Sequence, residues 1–325
     1  MLQILAVTFP FFALVLCGFV AAQRGVLPLA AIPGLNGFVL FFALPCMLYR
    51  FGANTPIGEL LDMTAALLWL GCALFVVAVA LLLARRAGRS WNDSAFGALV
   101  AAFPNTGFMG VPLLVALLGA RAAGPTILAV AIDMVITTSL CVALSRLDGA
   151  GSAGAGAAAR RALAGMLVNP LPWAIALGVV ASALQFTLPG PIDRTLGLLA
   201  DAASPVALFT IGAVLARSRV EAAAASKAGH AAAHGRDDAL QVAVLKLVLH
   251  PLAVWAVTTG AIAAGLPLDP FAALVLVLIA ALPSASNVSM LAERYGADNG
   301  RVARIILYST AAAFFTFSGA VAMLR

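Results

Sequence analysis

The sequence predicts an all-α polytopic membrane protein whose ten transmembrane helices form two inverted repeats of five. Three observations lead to this fold class. The 325-residue chain is 63% hydrophobic and only 10% charged, with a mean hydropathy of +1.06, which is more apolar surface than one soluble core can bury. Apolar runs of about 20 residues recur along its whole length. A linker of small residues divides these runs into two equal groups.

Each apolar run is long enough to cross the hydrocarbon core of a bilayer. The N-terminal run lacks the basic start of a secretory signal peptide and exceeds its apolar region in length, so we interpret it as the first span. The ten predicted spans are residues 2–22, 32–51, 60–84, 94–118, 124–145, 168–188, 195–216, 240–264, 269–291 and 303–323.

Basic residues predict the orientation of the spans. Fourteen of the 19 Lys and Arg residues lie in one set of alternate loops, four lie on the other side, and Lys246 lies within a span. By the positive-inside rule the first set of loops is cytoplasmic. The sequence therefore predicts a multi-pass protein of the plasma membrane with both termini outside.

A cytoplasmic linker at residues 148–161 separates the first five spans (1–147) from the second five (162–325). Its small residues have nothing to pack, as in a flexible linker. Because five is an odd number, the two halves cross the membrane in opposite directions, which is the arrangement of an inverted repeat.

Corresponding residues support the repeat. Pro45 is followed seven residues later by Gly52 in span 2, and Pro205 is followed at the same distance by Gly212 in span 7. Span 4 contains FPNTGFMGVP and span 9 contains LPSASNVSML, in which a proline follows an apolar run and precedes polar residues.

The prolines predict interrupted helices at mid-depth of spans 4 and 9. A proline removes one backbone donor and clashes with the carbonyl four residues earlier. In hydrocarbon the freed groups need protein or a water-filled cavity to satisfy them. Paired interruptions in two inverted halves point to the substrate site of a transporter, and the alternative interpretation is a packing kink in each helix.

The interrupted segments predict a binding site for an anion. Each break exposes free N–H groups and the positive end of a helix dipole. Asn105 adds an amide that can donate to a carboxylate or accept from a protonated one. The predicted substrate-binding residues are Pro104, Asn105, Thr106, Gly107, Pro283, Ser284, Ser286 and Asn287.

Three ionisable residues lie within spans and are candidates for ion coupling. Asp133 is near mid-depth of span 5, where a carboxylate costs about 2.5–3.5 kcal/mol and needs a cavity or a partner. It either couples transport to a proton or cation, or is a paired structural acid. Lys246 is either a counter-charge for Asp133 or the substrate, or a side chain that snorkels to the surface. His250 either relays a proton or is a neutral packing residue.

The stretch NTGFMGVP (105–112) resembles the fourth-span signature of the auxin efflux carriers, a family of membrane transporters. FALPCMLYR (42–50), ASPVALFTIGAVLA (203–216) and LPSASNVSMLAERYG (282–296) are also similar to that family, so the resemblance covers nearly the whole chain. Because the chain lacks the very long central loop of the large plant carriers, we expect a bacterial member in the inner membrane.

The resemblance implies a scaffold domain and a transport domain, each built from both repeats, with broken spans 4 and 9 crossing in the transport domain. It also implies elevator-type alternating access. The substrates of the family are carboxylates, so a mono- or dicarboxylate such as malonate, malate or an auxin-like acid is expected. The family's crossover asparagine corresponds to Asn105, and its crossover prolines to Pro104 and Pro283. The serines of span 9 depart from the family pattern and make the pocket more polar.

Two alternatives remain open, one a related carrier and one from another class of protein. A sodium-coupled carrier resembling the bile-acid symporters would share the crossover, although no acidic residue adjoins Asn105 or Asn287. A membrane sensor built on a carrier core would need an output domain, for which no loop is long enough. A channel is disfavoured because no span carries a continuous polar stripe.

The expected partners are the lipid bilayer, a small organic anion and a coupling proton or sodium ion, and a homodimer is left open. No motif indicates an enzyme, a cofactor or nucleic-acid binding. The four cysteines lie in apolar runs and are expected to be reduced. His230 and His234 have helical i, i+4 spacing, but a solvated Ala-rich loop disfavours a metal site there.

Overall fold

The protein is built of helices throughout the described residues. The computed structural model describes residues 2–54, 62–147, 170–227 and 238–324. Within them the helices are α1 Leu2–Gln23, α2 Leu29–Asn54, α3 Met63–Arg86, α4 Trp91–Ala102, α5 Thr106–Leu118, α6 Ala120–Ser145, α7 Pro170–Ala183, α8 Gly190–Lys227, α9 Ala239–Ala263, α10 Pro270–Ala280, α11 Asn287–Arg294 and α12 Asn299–Leu324. These ranges contain an isolated β-bridge but no strand. The prediction of an all-helical protein is confirmed, whereas the linker at 148–161 and the pair His230 and His234 lie outside the described residues.

Six of the helices are long and apolar enough to cross a membrane, namely α2, α3, α6, α8, α9 and α12. They coincide with predicted spans 2, 3, 5, 7, 8 and 10. The other four predicted spans contain shorter apolar helices, which are Phe9–Gln23, Thr106–Leu118, Trp173–Ala183 and Pro270–Ala280. The described helices therefore support a multi-pass membrane protein, and ten spans in an inverted repeat stay a prediction.

Four π-helical segments widen helices in the described part of the chain. They are Val39–Ala43, Thr106–Gly110, Asp133–Thr137 and Leu245–Leu249. All but the third end two residues before a proline, so the carbonyl with which the proline ring would clash lies inside the wider turn. The sequence thus sets where the helices widen, and π-bulges often accompany functional sites.

The described helices bury three clusters of apolar side chains, one large and two small, which divide the helices into a larger and a smaller group. The larger core is formed mainly by α3 to α6 and α9 to α12, and it contains the fully buried Trp69, Phe96 and Phe317. The smaller clusters are formed mainly by α1, α2, α7 and α8. Each group therefore combines helices from before and after the linker.

Glycines bring the helices of the smaller group into close contact. Gly52 of α2 lies against Gly178 of α7, while Gly18 of α1 and Gly212 of α8 each lie against the backbone of the other helix. A Cβ at any of these four positions would press on that backbone. Small residues at helix contacts are typical of membranes, where lipid removes the hydrophobic advantage of association. Gly178 follows Gly18 in the sequence at the same distance as Gly212 follows Gly52. The contact of α2 with α7 and that of α8 with α1 therefore use equivalent positions of the two halves.

Candidate functional site

The chain leaves helical structure between α4 and α5 and again between α10 and α11, and these two segments pair with each other. Pro104 and Ser284 form an antiparallel β-bridge. One N–H from each segment donates to a carbonyl of the other, with N···O distances of 2.8 and 2.9 Å. We call residues 103–105 and 283–285 the paired break.

The hydrogen-bond pattern explains why prolines are tolerated in the paired break. At the bridged positions the backbone N–H points away from the opposite segment, so Pro104 loses no bond to it. The N–H of Ser284 instead donates to the hydroxyl of Ser309 on α12 at 3.2 Å. The carbonyl of Pro283 accepts a hydrogen bond from the N–H of Asn105 at 2.8 Å. Because proline has no N–H to donate to the carbonyl of Asn105, the pairing ends there.

Polar groups without partners collect at the paired break. The side chain of Asn105 is 4% exposed and forms no hydrogen bond with any described residue. Within the same ranges, the backbone N–H groups of Gly107 and Phe108 at the start of α5 have no acceptor, and Ser284 Oγ and Asn287 Oδ1 are buried without a partner. An unpartnered buried polar group costs about 1–3 kcal/mol, so the cluster is costly for stability and suited to a polar ligand.

A small cavity adjoins these groups. Its volume is about 20 Å³ and its lining includes Asn105, Gly107 and Asn287, together with Leu44 and Leu48 of α2. This is space for about one water molecule, whereas small-molecule pockets typically have roughly 300–1,000 Å³. A molecule larger than water therefore enters only if the helices around the cavity separate.

The structure brings all eight predicted substrate-binding residues to the paired break and the helix starts beside it. Pro104, Asn105, Gly107 and Asn287 line the cavity. Pro283 and Ser284 belong to the opposing segment of the bridge. The hydroxyl of Thr106 donates to the carbonyl of Pro104 at 3.4 Å, and the carbonyl of Ser286 accepts the hydroxyl of Ser289 at 2.8 Å. Their role in binding a substrate stays a prediction.

Asp133 is fully buried and only half of its carboxylate is satisfied. Its Oδ1 accepts from Nε1 of Trp69 at 3.2 Å and from the hydroxyl of Thr137 at 3.1 Å. Its Oδ2 has no partner among the described residues. Trp69, on α3, is a site residue that the sequence did not indicate, because an indole in an apolar run looks like any other core aromatic.

Lys246 is also fully buried, so the alternative in which its stem snorkels to the surface is wrong. Its Nζ donates to the carbonyl of Ala280 at 2.6 Å and lies 3.2 Å from Nδ1 of His250. Ala280 is the last residue of α10, so the ammonium stabilises the negative end of a helix that stops inside the protein.

The three candidates for ion coupling form one connected group. Asp133 and Lys246 interact electrostatically, although the structure contains no direct ion pair between them. The ammonium of Lys246 can only donate hydrogen bonds. Nδ1 of His250 therefore accepts a hydrogen bond from it, and the proton of the neutral imidazole is on Nε2. Within the described ranges that Nε2 has no partner, and the imidazole lies 5.3 Å from the ring of Trp69.

A second charged cluster lies where α9 and α12 begin, on the side that the basic loops predict to be cytoplasmic. Arg301 is 2% exposed and donates from Nε and Nη2 to the two carboxylate oxygens of Asp238 at 2.7 and 2.8 Å. Its Nη1 donates to the carbonyl of Asp93 at 2.8 Å, and Arg89 adds a bond to Asp238 at 3.0 Å. Burial alone would raise the pKa of Asp238, but the hydrogen bonds and charge of Arg301, with Arg89, hold it below its usual value.

Apolar spanning helices, an internal pair of helix breaks and unpartnered polar groups beside them define a multi-pass membrane transporter. Sequence comparison agrees with this class. A family model described as "Membrane transport protein" matches residues 4–153 and 157–321. The chain belongs to this family, and its resemblance to the auxin efflux carriers is confirmed.

Several relatives are transporters by description. The chain is 27% identical to a "Putative malonate transporter" of Rhizobium meliloti (strain 1021), over 100% of this chain and 97% of the relative. It is 26% identical to an "Uncharacterized transporter" of Methanothermobacter thermautotrophicus, over 91% of this chain and 90% of that protein. Identity to the "Uncharacterized transporter YfdV" of Escherichia coli (strain K12) is 24%, over 88% of this chain and 86% of the relative.

Proposed function

We propose that this protein is a secondary active transporter of a small organic carboxylate, which binds at the paired break. One observation carries the proposal: the buried amide of Asn105 has no partner among the described residues and lines a cavity beside the free N–H groups of Gly107 and Phe108. Free N–H groups at a helix start attract an anion. They do so without an unpaired cation at mid-membrane, which would be costly.

The substrate class follows from the chemistry of the site. A carboxylate accepts from Asn105 and from backbone N–H groups, and a protonated carboxyl can donate to the free Oδ1 of Asn287. The name of the Rhizobium meliloti relative supports malonate as the first dicarboxylate to test. Malate and an auxin-like monocarboxylate remain within the proposed class.

We propose that transport uses an elevator-type movement. The cavity lies between the paired break and Leu44 and Leu48 of α2, so relative movement of the two helix groups would widen it. The larger group would be the transport domain and the smaller group the scaffold. The equivalent glycine contacts of α2 with α7 and of α8 with α1 support an inverted repeat. The proposed location is the inner membrane of a bacterium, with both termini outside.

The coupling ion is proposed to be a proton. A sodium ion at a helix break is coordinated by carbonyl oxygens of the half-helix end, but here the ammonium of Lys246 already bonds the carbonyl of Ala280. The free Oδ2 of Asp133 and the free Nε2 of His250 are buried nearby. Oδ2 of Asp133 is the proposed site at which a proton is gained and released during the cycle, and the N–H at Nε2 of His250 is a proposed donor on the proton path.

Uptake into proteoliposomes tests the substrate proposal. Labelled malonate, malate and indole acetate would be offered to the wild type, to Asn105→Ala and to Asn36→Ala as a control on α2. We expect saturable uptake of one acid, its loss in Asn105→Ala and its retention in Asn36→Ala. Equal uptake by the wild type and Asn105→Ala would refute the site.

Imposed gradients test the coupling proposal separately. We expect an inward proton gradient to drive uptake in the wild type, and a sodium gradient at constant pH to have no effect. Asp133→Asn should abolish the response to the proton gradient while binding of the acid persists. Sodium-driven uptake would favour the bile-acid-symporter-like alternative.

A further inference from the structure

A long apolar groove lies on the smaller group of helices, away from the paired break. Its volume is about 440 Å³ and nearly all of its lining is apolar, with Pro45 and Tyr49 on α2, Leu177 on α7 and Leu196 on α8. Along α7 and the residue after it, the lining extends over residues 174–184, which is about 15 Å at 1.5 Å per residue. This is half of the roughly 30 Å hydrocarbon core, so the groove has the depth of one leaflet.

A pair of opposite charges lies at the edge of this groove. Arg50 follows Tyr49 on α2, and its guanidinium packs over Gly197, the residue after Leu196. Nε of Arg50 lies 3.9 Å from Oδ1 of Asp193, and the two side chains are 35% and 52% exposed. Among the described residues, the guanidinium has no closer polar partner. A cation and an anion with unused hydrogen-bonding capacity therefore lie next to a leaflet-deep apolar groove.

We propose that this groove is a binding site for a phospholipid of the bilayer, with phosphatidylethanolamine as the matching headgroup. An acyl chain of the lipid occupies the apolar groove, and its headgroup lies at the charged edge. The guanidinium of Arg50 donates to the lipid phosphate, a planar fork that suits phosphate oxygens. The carboxylate of Asp193 accepts from the ethanolamine ammonium. The lipid would brace α2 against α7 and α8, the helices that form the proposed scaffold.

A second copy of the chain is the competing occupant, and the geometry favours the lipid. A helix with its side chains is about 10–12 Å across. Because α2 and α7 are in backbone contact at Gly52 and Gly178 beside the groove, the space between them is too narrow for a helix of a second copy. A stable interface between copies also buries about 1,200–2,000 Å² in total, or about 20–30 residues a side, whereas eleven residues line this groove. The charge pair matches a zwitterionic headgroup, while an apolar helix surface would leave it unsatisfied.

Native mass spectrometry of the full-length protein tests the proposal. The protein would be reconstituted in vesicles of equal parts phosphatidylethanolamine and phosphatidylglycerol, extracted in mild detergent, and examined for retained lipid. The variants are Leu177→Trp, which fills the groove, and Leu67→Trp, a matched control on α3; the two leucines are 60% and 61% exposed. Arg50→Gln and Asp193→Asn change only the charge pair at the surface.

We expect the wild type and Leu67→Trp to retain phosphatidylethanolamine, and Leu177→Trp to lose it. Arg50→Gln should need about tenfold more lipid for the same occupancy, since it loses a charge-assisted contact. Asp193→Asn should retain both lipids equally. Unchanged retention in Leu177→Trp, or in both Arg50→Gln and Asp193→Asn, would overturn the proposal. Conversion of a dimer to a monomer by Leu177→Trp without loss of lipid would assign the groove to a second copy.

Discussion

Two clusters of buried charge lie in the same group of helices, and they differ in how completely their charges are partnered. Arg301 uses Nε, Nη1 and Nη2 in hydrogen bonds, and both oxygens of Asp238 accept. In the other cluster, and within the described residues, Asp133 leaves one oxygen without a partner and Lys246 reaches a carbonyl and an imidazole but no carboxylate. A network in which a guanidinium and both oxygens of its carboxylate are partnered fixes one arrangement of the helix ends. A half-partnered one stays chemically available, so we infer a structural role for the first cluster and a functional role for the second.

Lys246→Met gives the largest expected effect. It leaves the buried carboxylate of Asp133 without the charge of Lys246 and the carbonyl of Ala280 without a donor, and a buried group that loses its partner costs about 1–3 kcal/mol, or more when it is charged. We expect a lower unfolding temperature and no detectable uptake, measured by thermal unfolding in detergent and by proteoliposome uptake.

The double variant Lys246→Met with Asp133→Asn separates the two roles of this pair. Removing both charges should restore most of the stability but not the uptake. Full uptake in the double variant would give the cluster of Asp133 and Lys246 a structural role and remove the contrast between the two clusters.

Arg301→Gln is expected to lower the free energy of unfolding by about 3–5 kcal/mol, with uptake by the folded fraction retained. Thermal unfolding and uptake per folded molecule check this. Arg294→Gln on the exposed end of α11 is the control and should change stability by no more than about 0.5 kcal/mol. Combining Arg301→Gln with Asp238→Asn should recover both stability and uptake, and loss of uptake there would contradict a purely structural role.

A smaller effect is expected from pH. The pKa of Asp238 is lowered in the folded protein, so its contribution to stability is complete above the unfolded pKa of about 3.9 and is lost as the pH falls through the lower folded value. Unfolding temperatures measured from pH 5 to pH 3 should fall further for the wild type than for Asp238→Asn. Parallel curves would show that the carboxylate is not stabilised by Arg301.

Ser309→Ala gives the smallest expected effect. It removes the hydroxyl that accepts the N–H of Ser284 and should cost about 1 kcal/mol. We expect a slightly lower unfolding temperature with uptake maintained, since Ser309 contacts the backbone of the paired break and does not line the cavity. A complete loss of uptake would mean that this hydroxyl positions the site.

The residues of the paired break could be predicted from the sequence, because prolines act on the backbone within four residues of their own position. The same local rule explains the π-helical segments before Pro45, Pro112 and Pro251. The partners across the structure could not be predicted. Trp69 reaches Asp133 across 64 positions, and nothing near either residue specifies that meeting.

The sequence by itself determined the class of protein, the apolar segments and the places where helices are interrupted, because hydropathy and proline act locally. Tertiary structure decided which interruptions pair, which charges are satisfied and how small the cavity is. Pairing of residues 103–105 with 283–285 needs four helix ends at one point. Whether Lys246 snorkels or caps α10 depends on the position of Ala280, which only the packed bundle provides.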